Sequence, residues 1–219
     1  MHIITELYQV DTCQSVLQEN FKNNKRKWEI VDIDTETSTI KDGYYYMKNK
    51  SRSRWNYYKT KTNLKKNQDF IFEATLELEK EEDSFGHFGL VWGFDKNCEN
   101  LNRFTLSADG QRALIMHFEK DHKNVFHRFQ NRKLPKFNIN KPVRFTIIKL
   151  GEYFHFLINK TNVYIAHESF FAACGNFAGY YIEPGLSIKS NYLEVKRIRA
   201  YPMEAMMGLQ LLMNNNPIK

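Results

Sequence analysis

Carboxylates two residues apart on an extended chain fall on the same side, and retaining glycoside hydrolysis needs two carboxyls about 5 Å apart. Two stretches have that alternation: Glu73, Glu77 and Glu79 in EATLELE, and Asp32, Asp34 and Glu36 in DIDTE. Glu73 and Glu77 are therefore candidates for gripping a sugar or for acid–base work. The same pattern also describes the polar outer face of a half-buried strand. The Asp32–Glu36 run reads as one strand with three acids on one face, which a solvated edge also explains. The seven histidines are scattered, with no His-x-x-x-His and no Cys-x-x-Cys, so a zinc site is unsupported. His87, His117 and His155 each fall on a strand by alternation; either they converge on one sheet face or they are independent surface residues. Asp95-Lys96-Asn97 and Asp109-Gly110 are ordinary turns, too sparse for a calcium loop. Without a glycine-rich phosphate loop or a nucleophile elbow, the expectation is no metal, no cofactor and no catalytic set.

A binding face is better supported. In Arg103–Ser107 the apolar Phe104 and Leu106 turn to the core, leaving Arg103 and Thr105 outward. In residues 86–94 Phe88, Leu90 and Trp92 turn inward, leaving His87, Gly89, Val91 and Gly93 outward. Two glycines and a valine make a low floor, where Arg103 and His87 can fix a polar ligand by hydrogen bonds. Trp55, Tyr57 and Tyr181, with Tyr153 behind them, are the aromatic candidates for stacking on sugar rings. A core position is the alternative for each.

Those residues need strands to hold them. The chain has 219 residues, 42% hydrophobic and 15% aromatic, with 17 Phe, 12 Tyr and 3 Trp against 10 Gly and 5 Pro. That composition favours strands over disorder. Short alternating segments recur between turn residues: Gly43–Asn49, Trp55–Thr60, Asp69–Glu79, Phe88–Phe94, Arg103–Ala108, Arg112–Glu119, Val143–Leu150, Tyr153–Asn159, Val163–His167, Gly179–Ile182, Leu186–Lys189 and Tyr192–Arg199. The Gly151-Glu152 pair is the clearest hairpin signal. Spacing of this kind predicts one all-β sandwich, with Phe72, Trp92, Phe104, Phe145 and Phe156 in its core. Glu6–Phe21 reads as a short helix or irregular lead-in. Met203–Met213 is apolar and unbranched, and reads as a helix after Pro202. The expected division is a lead-in over 1–18, a sandwich over 19–202 and an apolar helix with tail over 203–219. Too short to be stable alone, that helix must bury against the sandwich or a protein partner through Met203, Met206, Met207, Leu211 and Leu212.

Net charge is +7 and unevenly spread: residues 22–66 carry 13 basic and 5 acidic side chains, 67–119 carry 4 and 11, and 120–149 carry 9 and 1. The two basic bands, with Arg54-Trp55-Asn56-Tyr57-Tyr58-Lys59 interleaving cations and rings, suit nucleic acid, although no known nucleic-acid motif is present. The bands are equally what a lysine-rich composition leaves on solvent faces. No run approaches the ~18 apolar residues of a helical membrane span. The start of the chain lacks the basic and apolar regions of a secretory signal, and three cysteines (Cys13, Cys98, Cys174) make no framework, so a cytoplasmic setting is expected.

One succession of motifs resembles a known group. It opens with Glu19-Asn20-Phe21-Lys22-Asn23-Asn24 and Trp28-Glu29-Ile30, followed by Gly43-Tyr44, Phe72-Glu73-Ala74 and Gly89-Leu90-Val91-Trp92-Gly93. Arg103-Phe104-Thr105-Leu106-Ser107, the Phe145-to-Asn159 hairpin and Gly179-to-Ile182 complete it. In this order, over about residues 19–200, the chain resembles the concanavalin A-like jelly rolls related to laminin-G domains and to the 3-keto-disaccharide hydrolase group. The resemblance implies two antiparallel sheets, one of them concave. That fold hosts lectins, hydrolases and protein-recognition modules. The Glu-x-Asp-x-x-Glu strand of one class of its sugar hydrolases is absent here. The favoured reading is a non-catalytic module that binds a carbohydrate or a protein partner, an adaptor or ligand-sensing subunit. The alternatives are a glycoside-acting hydrolase of the 3-keto-disaccharide type and nucleic-acid binding through the basic bands.

Overall fold

The computed structural model describes residues 13–64, 68–81, 86–94, 100–119, 129–131, 135–171 and 176–198. The strands in chain order are β1 (Cys13–Glu19), β2 (Val31–Ile33), β3 (Glu36–Lys41), β4 (Tyr44–Asn49), β5 (Asn56–Lys61), β6 (Phe70–Glu81), β7 (His87–Phe94) and β8 (Asn100–Ser107). They continue with β9 (Ala113–Glu119), β10 (Phe129–Asn131), β11 (Val143–Leu150), β12 (Tyr153–Ile158), β13 (Thr161–His167), β14 (Phe177–Ile182) and β15 (Leu186–Ile198). Two sheets result, and every pairing in them is antiparallel. The first runs β13-β12-β11-β6-β15-β4-β3-β2, with β1 also on β15; the second runs β10-β9-β8-β7-β14-β5. The expected all-β sandwich is the observed one. The helix expected over 203–213, with its methionines and leucines, lies outside the described residues.

Turn chemistry sets the registers. Asp42 and Gly43 both have positive φ between β3 and β4, as do Asn159 and Lys160 between β12 and β13, the arrangement of a two-residue type I′ hairpin. At Gly151-Glu152 only the glycine is positive, at φ +55°, which suits type II′. Alternation then drives one face of each strand inward. Phe72, Trp92, Phe104, Phe145 and Phe156 are all buried, as expected. Phe104 meets Phe145 and Phe156 edge-on at ring distances of 5.5 and 5.2 Å.

Three readings of the sequence are corrected. Residues 13–19, expected as helix or lead-in, form β1. The outer edge of β15 is paired by β4 over Ser187–Ser190 and needs another partner beyond it, and Leu193–Ile198 pairs with β1. Leu186–Lys189 and Tyr192–Arg199, read as two strands, form the single β15 over residues 186–198. It follows β6 along its length, with register shifts at Ser187/Ile188 and Ser190/Tyr192. The Asp32–Glu36 run is not one strand but the β2–β3 hairpin, so its acids do not share a strand face.

The Glu-Asn-Phe…Trp opening has a structural role. The Glu19 carboxylate accepts from the backbone N–H groups of Asn20 and Phe21 (both 3.0 Å) and from Trp28 Nε1 (3.2 Å). Asn24 closes the loop by bonding both backbone groups of Trp28. This seats Phe21 and Trp28 against Tyr45 and Tyr180 at one end of the core.

Candidate functional site

The outer face of the six-stranded sheet is the candidate site. Along it, Tyr57 on β5 stands opposite Tyr181 on β14, which stands opposite Gly89 on β7, then Thr105 on β8 and Leu114 on β9. The next row runs Lys59, Gly179, Val91, Arg103 and Met116. Gly89 and Gly179 are required by close strand approach. A Cβ at Gly89 would stand 2.2 Å from the Phe104 carbonyl oxygen, and one at Gly179 would stand 1.9 Å from that of Tyr58.

Four polar side chains converge on this floor. Arg103 Nη1 donates to the Tyr181 hydroxyl oxygen, and the guanidinium lies 4.5 Å from the centre of the Tyr181 ring. The Tyr181 hydroxyl donates onward to Glu183 Oε1 at 3.0 Å. Glu183 Oε2 accepts from the His87 backbone N–H at 2.9 Å and lies 3.2 Å from His87 Nδ1. With Nδ1 paired to the carboxylate, Nε2 is the ring nitrogen of His87 not engaged by Glu183. The guanidinium also packs on Met116 Sδ, 2.7 Å from Nη2 and 3.2 Å from Nε. Beside the cluster, Val91, Leu101 and Tyr181 form a buried apolar patch, with Tyr57, Phe118 and Phe177 packed on it.

Electrostatics fix the states of Glu183 and Tyr181. Burial pushes the Glu183 carboxyl up, but the His87 bond and the His87 and Arg103 charges outweigh it and hold the group below its usual range. Burial, with Glu183 adjacent, pushes the Tyr181 hydroxyl well up against the opposing pull of Arg103, so it stays a neutral donor. The arrangement is an ionised acceptor, a neutral donor and a fixed cation, the mixed set that orients a polyhydroxylated ligand.

His87, Arg103, Thr105, Tyr57 and Tyr181 thus share one face. Thr105 is fully buried there and its hydroxyl donates to the Leu114 carbonyl, so its hydrogen-bonding capacity is partly spent within the sheet. Trp55 is 51% exposed and lies just before the start of β5. Glu73 and Glu77 belong to the other sheet. Glu73 is bonded by Arg144 and by Thr146, and Glu77 lies 3.6 Å from Lys189. Tyr153 also lies on that sheet, edge-on to His167. The three strand histidines do not converge. His117 is bonded to Asn102 at 2.8 Å beneath the sheet, and His155 is buried in the nine-stranded sheet. Sequence reasoning missed Glu183 and Met116. Glu183 carried a usable signal, because two residues beyond Tyr181 is the same side of a strand. A methionine on a strand reads as core, and nothing in the sequence marks Met116 as a partner for Arg103. Among the described residues no group of three or more His, Cys, Asp or Glu side chains is arranged to hold a metal ion.

No protein-family model matches the sequence, and no curated protein resembles it in sequence. Solved structures do resemble it in fold. The β-glucanase of Bacillus licheniformis superposes with a TM-score of 0.59 at 10% identity, over 85% of this chain and 98% of that one. A prokaryotic β-1,3-1,4-glucanase (lichenase) derived from a mouse hindgut metagenome gives 0.58 at 12%, over 84% and 99%. The CBM2 module of an evolved Dit from Lactobacillus casei BL23 phage J-1 gives 0.54 at 12%, over 87% and 98%. The chain therefore has a two-sheet antiparallel jelly-roll fold, like that of these two glucanases and of this module.

Proposed function

We propose that the protein is a glycan-recognition module whose ligand face is the outer face of the six-stranded sheet. The observation that carries this is the convergence of Arg103, Tyr181, Glu183 and His87 from three strands onto a glycine-floored surface beside an apolar patch. Sugars present hydroxyls on their edges and C–H groups on their faces, and this face offers fixed donors and acceptors next to the partly buried Tyr57, Phe118 and Phe177. The fold likeness to a carbohydrate-binding module is consistent with that chemistry. The test is a glycan array followed by calorimetry on Arg103→Ala and Glu183→Gln. Binding lost in both variants, with thermal unfolding unchanged, supports the reading; binding indifferent to both refutes it.

A second reading, glycoside hydrolysis, is favoured by one observation on the other sheet. Glu73 on β6 and Glu194 on β15 are direct cross-strand partners, and such pairs bring side chains within about 5.5 Å at Cβ. Retaining hydrolysis needs two carboxyls about 5 Å apart, and a cross-strand pair is one arrangement that can supply them. Each carboxylate is engaged, Glu73 by Arg144 and Thr146, Glu194 by Tyr192 and Lys196. Reducing-sugar release from β-glucans that disappears in Glu73→Gln and in Glu194→Gln would favour hydrolysis over recognition.

A further inference from the structure

Arg103 is a cation paired only loosely, with Glu183 Oε1 3.8 Å from its Nη1. Its side chain is only 14% exposed. A guanidinium has five N–H groups. Three of them are directed at Met116 Sδ, through Nε and Nη2, and at the Tyr181 hydroxyl, through Nη1. Both acceptors are uncharged, and a thioether is a weak acceptor. Among the described residues the one carboxylate near it, Glu183, stands 3.8 Å from Nη1. Its oxygens already receive the Tyr181 hydroxyl, the His87 backbone N–H and the His87 ring. Two N–H groups of Arg103, one on each terminal nitrogen, are therefore unfilled. A charge this far from water is costly unless paired, and the partner that best fits a planar guanidinium is a planar two-oxygen anion.

Two further cations lie on this face. Lys59 and Lys61 project on the same face from β5, opposite Gly179 and Phe177. We propose that the ligand of this face is an acidic polysaccharide of the uronic-acid class, with a sugar carboxylate seated on the unfilled N–H groups of Arg103. His87 Nε2, which Glu183 does not engage, is then the second polar contact for neighbouring hydroxyls of the chain. The proposal rests on the reading of this face as the glycan face and names the class of glycan. A single-stranded nucleic acid fits less well, because base stacking needs free aromatic faces. Tyr181 is 1% exposed with Arg103 over its ring, and Tyr57, Phe118 and Phe177 are packed into the apolar patch.

Calorimetry on the full chain tests it with oligosaccharides of polygalacturonate and alginate, their methyl esters, dextran sulfate and an oligothymidylate. The free acids should bind at least about tenfold tighter than their esters, because esterification removes the charge-assisted pair and keeps the sugar backbone. Arg103→Gln should abolish that difference. Arg103→Lys, which keeps the charge but not the fork, should reduce it. The ester comparison needs no variant, so misfolding of either substitution leaves the test intact. Acid and ester binding equally would overturn the uronate proposal and leave glycan recognition standing. Dextran sulfate or oligothymidylate binding as tightly as the acids, with no response to Arg103→Lys, would overturn it in favour of unspecific attraction by the basic band. No binding by any glycan would overturn the proposal together with the reading beneath it.

Discussion

Lowering the pH from 7.5 to 5.0 should destabilise this protein through one side chain, His155. It sits on β12 with no exposed surface, opposite Ile148 on β11 and Ile165 on β13. Among the described residues neither ring nitrogen has a hydrogen-bond partner. Burial therefore pushes its pKa down from the ordinary 6.5 to about 4. The sign follows from proton binding: between those two values the unfolded chain takes up a proton that the folded protein refuses. The stability that neutral His155 permits is complete above the ordinary pKa, falls as the pH drops towards 4, and levels off below. The whole gap is worth roughly 3 kcal/mol, and the part between pH 7.5 and 5.0 about 2 kcal/mol. Buried carboxyls titrate in the same region with other signs. Burial raises the pKa of Glu36 and of Asp69, so each adds stability on acidification, whereas Glu183 is held low and loses it only below the usual carboxylate range.

A comparison with His155→Leu removes those contributions, which are common to both proteins. Leucine also eliminates two buried polar atoms without partners, each costing about 1–3 kcal/mol, so the variant should be the more stable one already at pH 7.5. Urea unfolding followed by tryptophan fluorescence, at pH 7.5 and 5.0, measures both effects. The stability gap between variant and parent should widen by about 2 kcal/mol at the lower pH. A widening below ~0.5 kcal/mol would show that His155 is solvated or paired, and the reasoning would be wrong.

Three further expectations concern register, strand spacing and ligand class. Phe104→Ala should cost about 3–5 kcal/mol in chemical denaturation, since the ring is fully buried between Phe145 and Phe156; a cost under ~1 kcal/mol would place it on the wrong face. Gly89→Ala forces a methyl against the Phe104 carbonyl and should cost about 1–3 kcal/mol or more, whereas Gly151→Ala, with open space around its Cβ, should cost only about 1 kcal/mol for its positive φ; equal costs would contradict the described strand approach. In a gel shift at about 50 mM salt, single-stranded and duplex probes should migrate unretarded; retardation that collapses by about 200 mM would revive the nucleic-acid alternative.

Local pattern was enough to assign faces. In β7 and β8 an alternation of large apolar and small or polar residues has one register that buries Phe88, Leu90, Trp92, Phe104 and Leu106 together. Arg103 and His87 follow onto the outer face without any knowledge of what lies opposite. The hairpins at Asp42-Gly43 and Gly151-Glu152 are equally local, because positive φ is tied to residue type. Which strands share a sheet is not local. Glu73 and Arg103 have the same kind of outward strand position, yet β6 and β8 lie in opposite sheets, so two members of the expected ligand set point away from the rest. β1 was hidden because its backbone bonds are supplied by an edge of β15 about 180 residues away, which the spacing of Val16 and Leu17 does not encode. Glu183 and Met116 became partners of Arg103 only because antiparallel pairing sets β14 and β9 on either side of β7 and β8. Alternation along a strand is a property of the chain; adjacency across strands is set by which closure buries the most apolar surface, and the described sandwich alone supplies it.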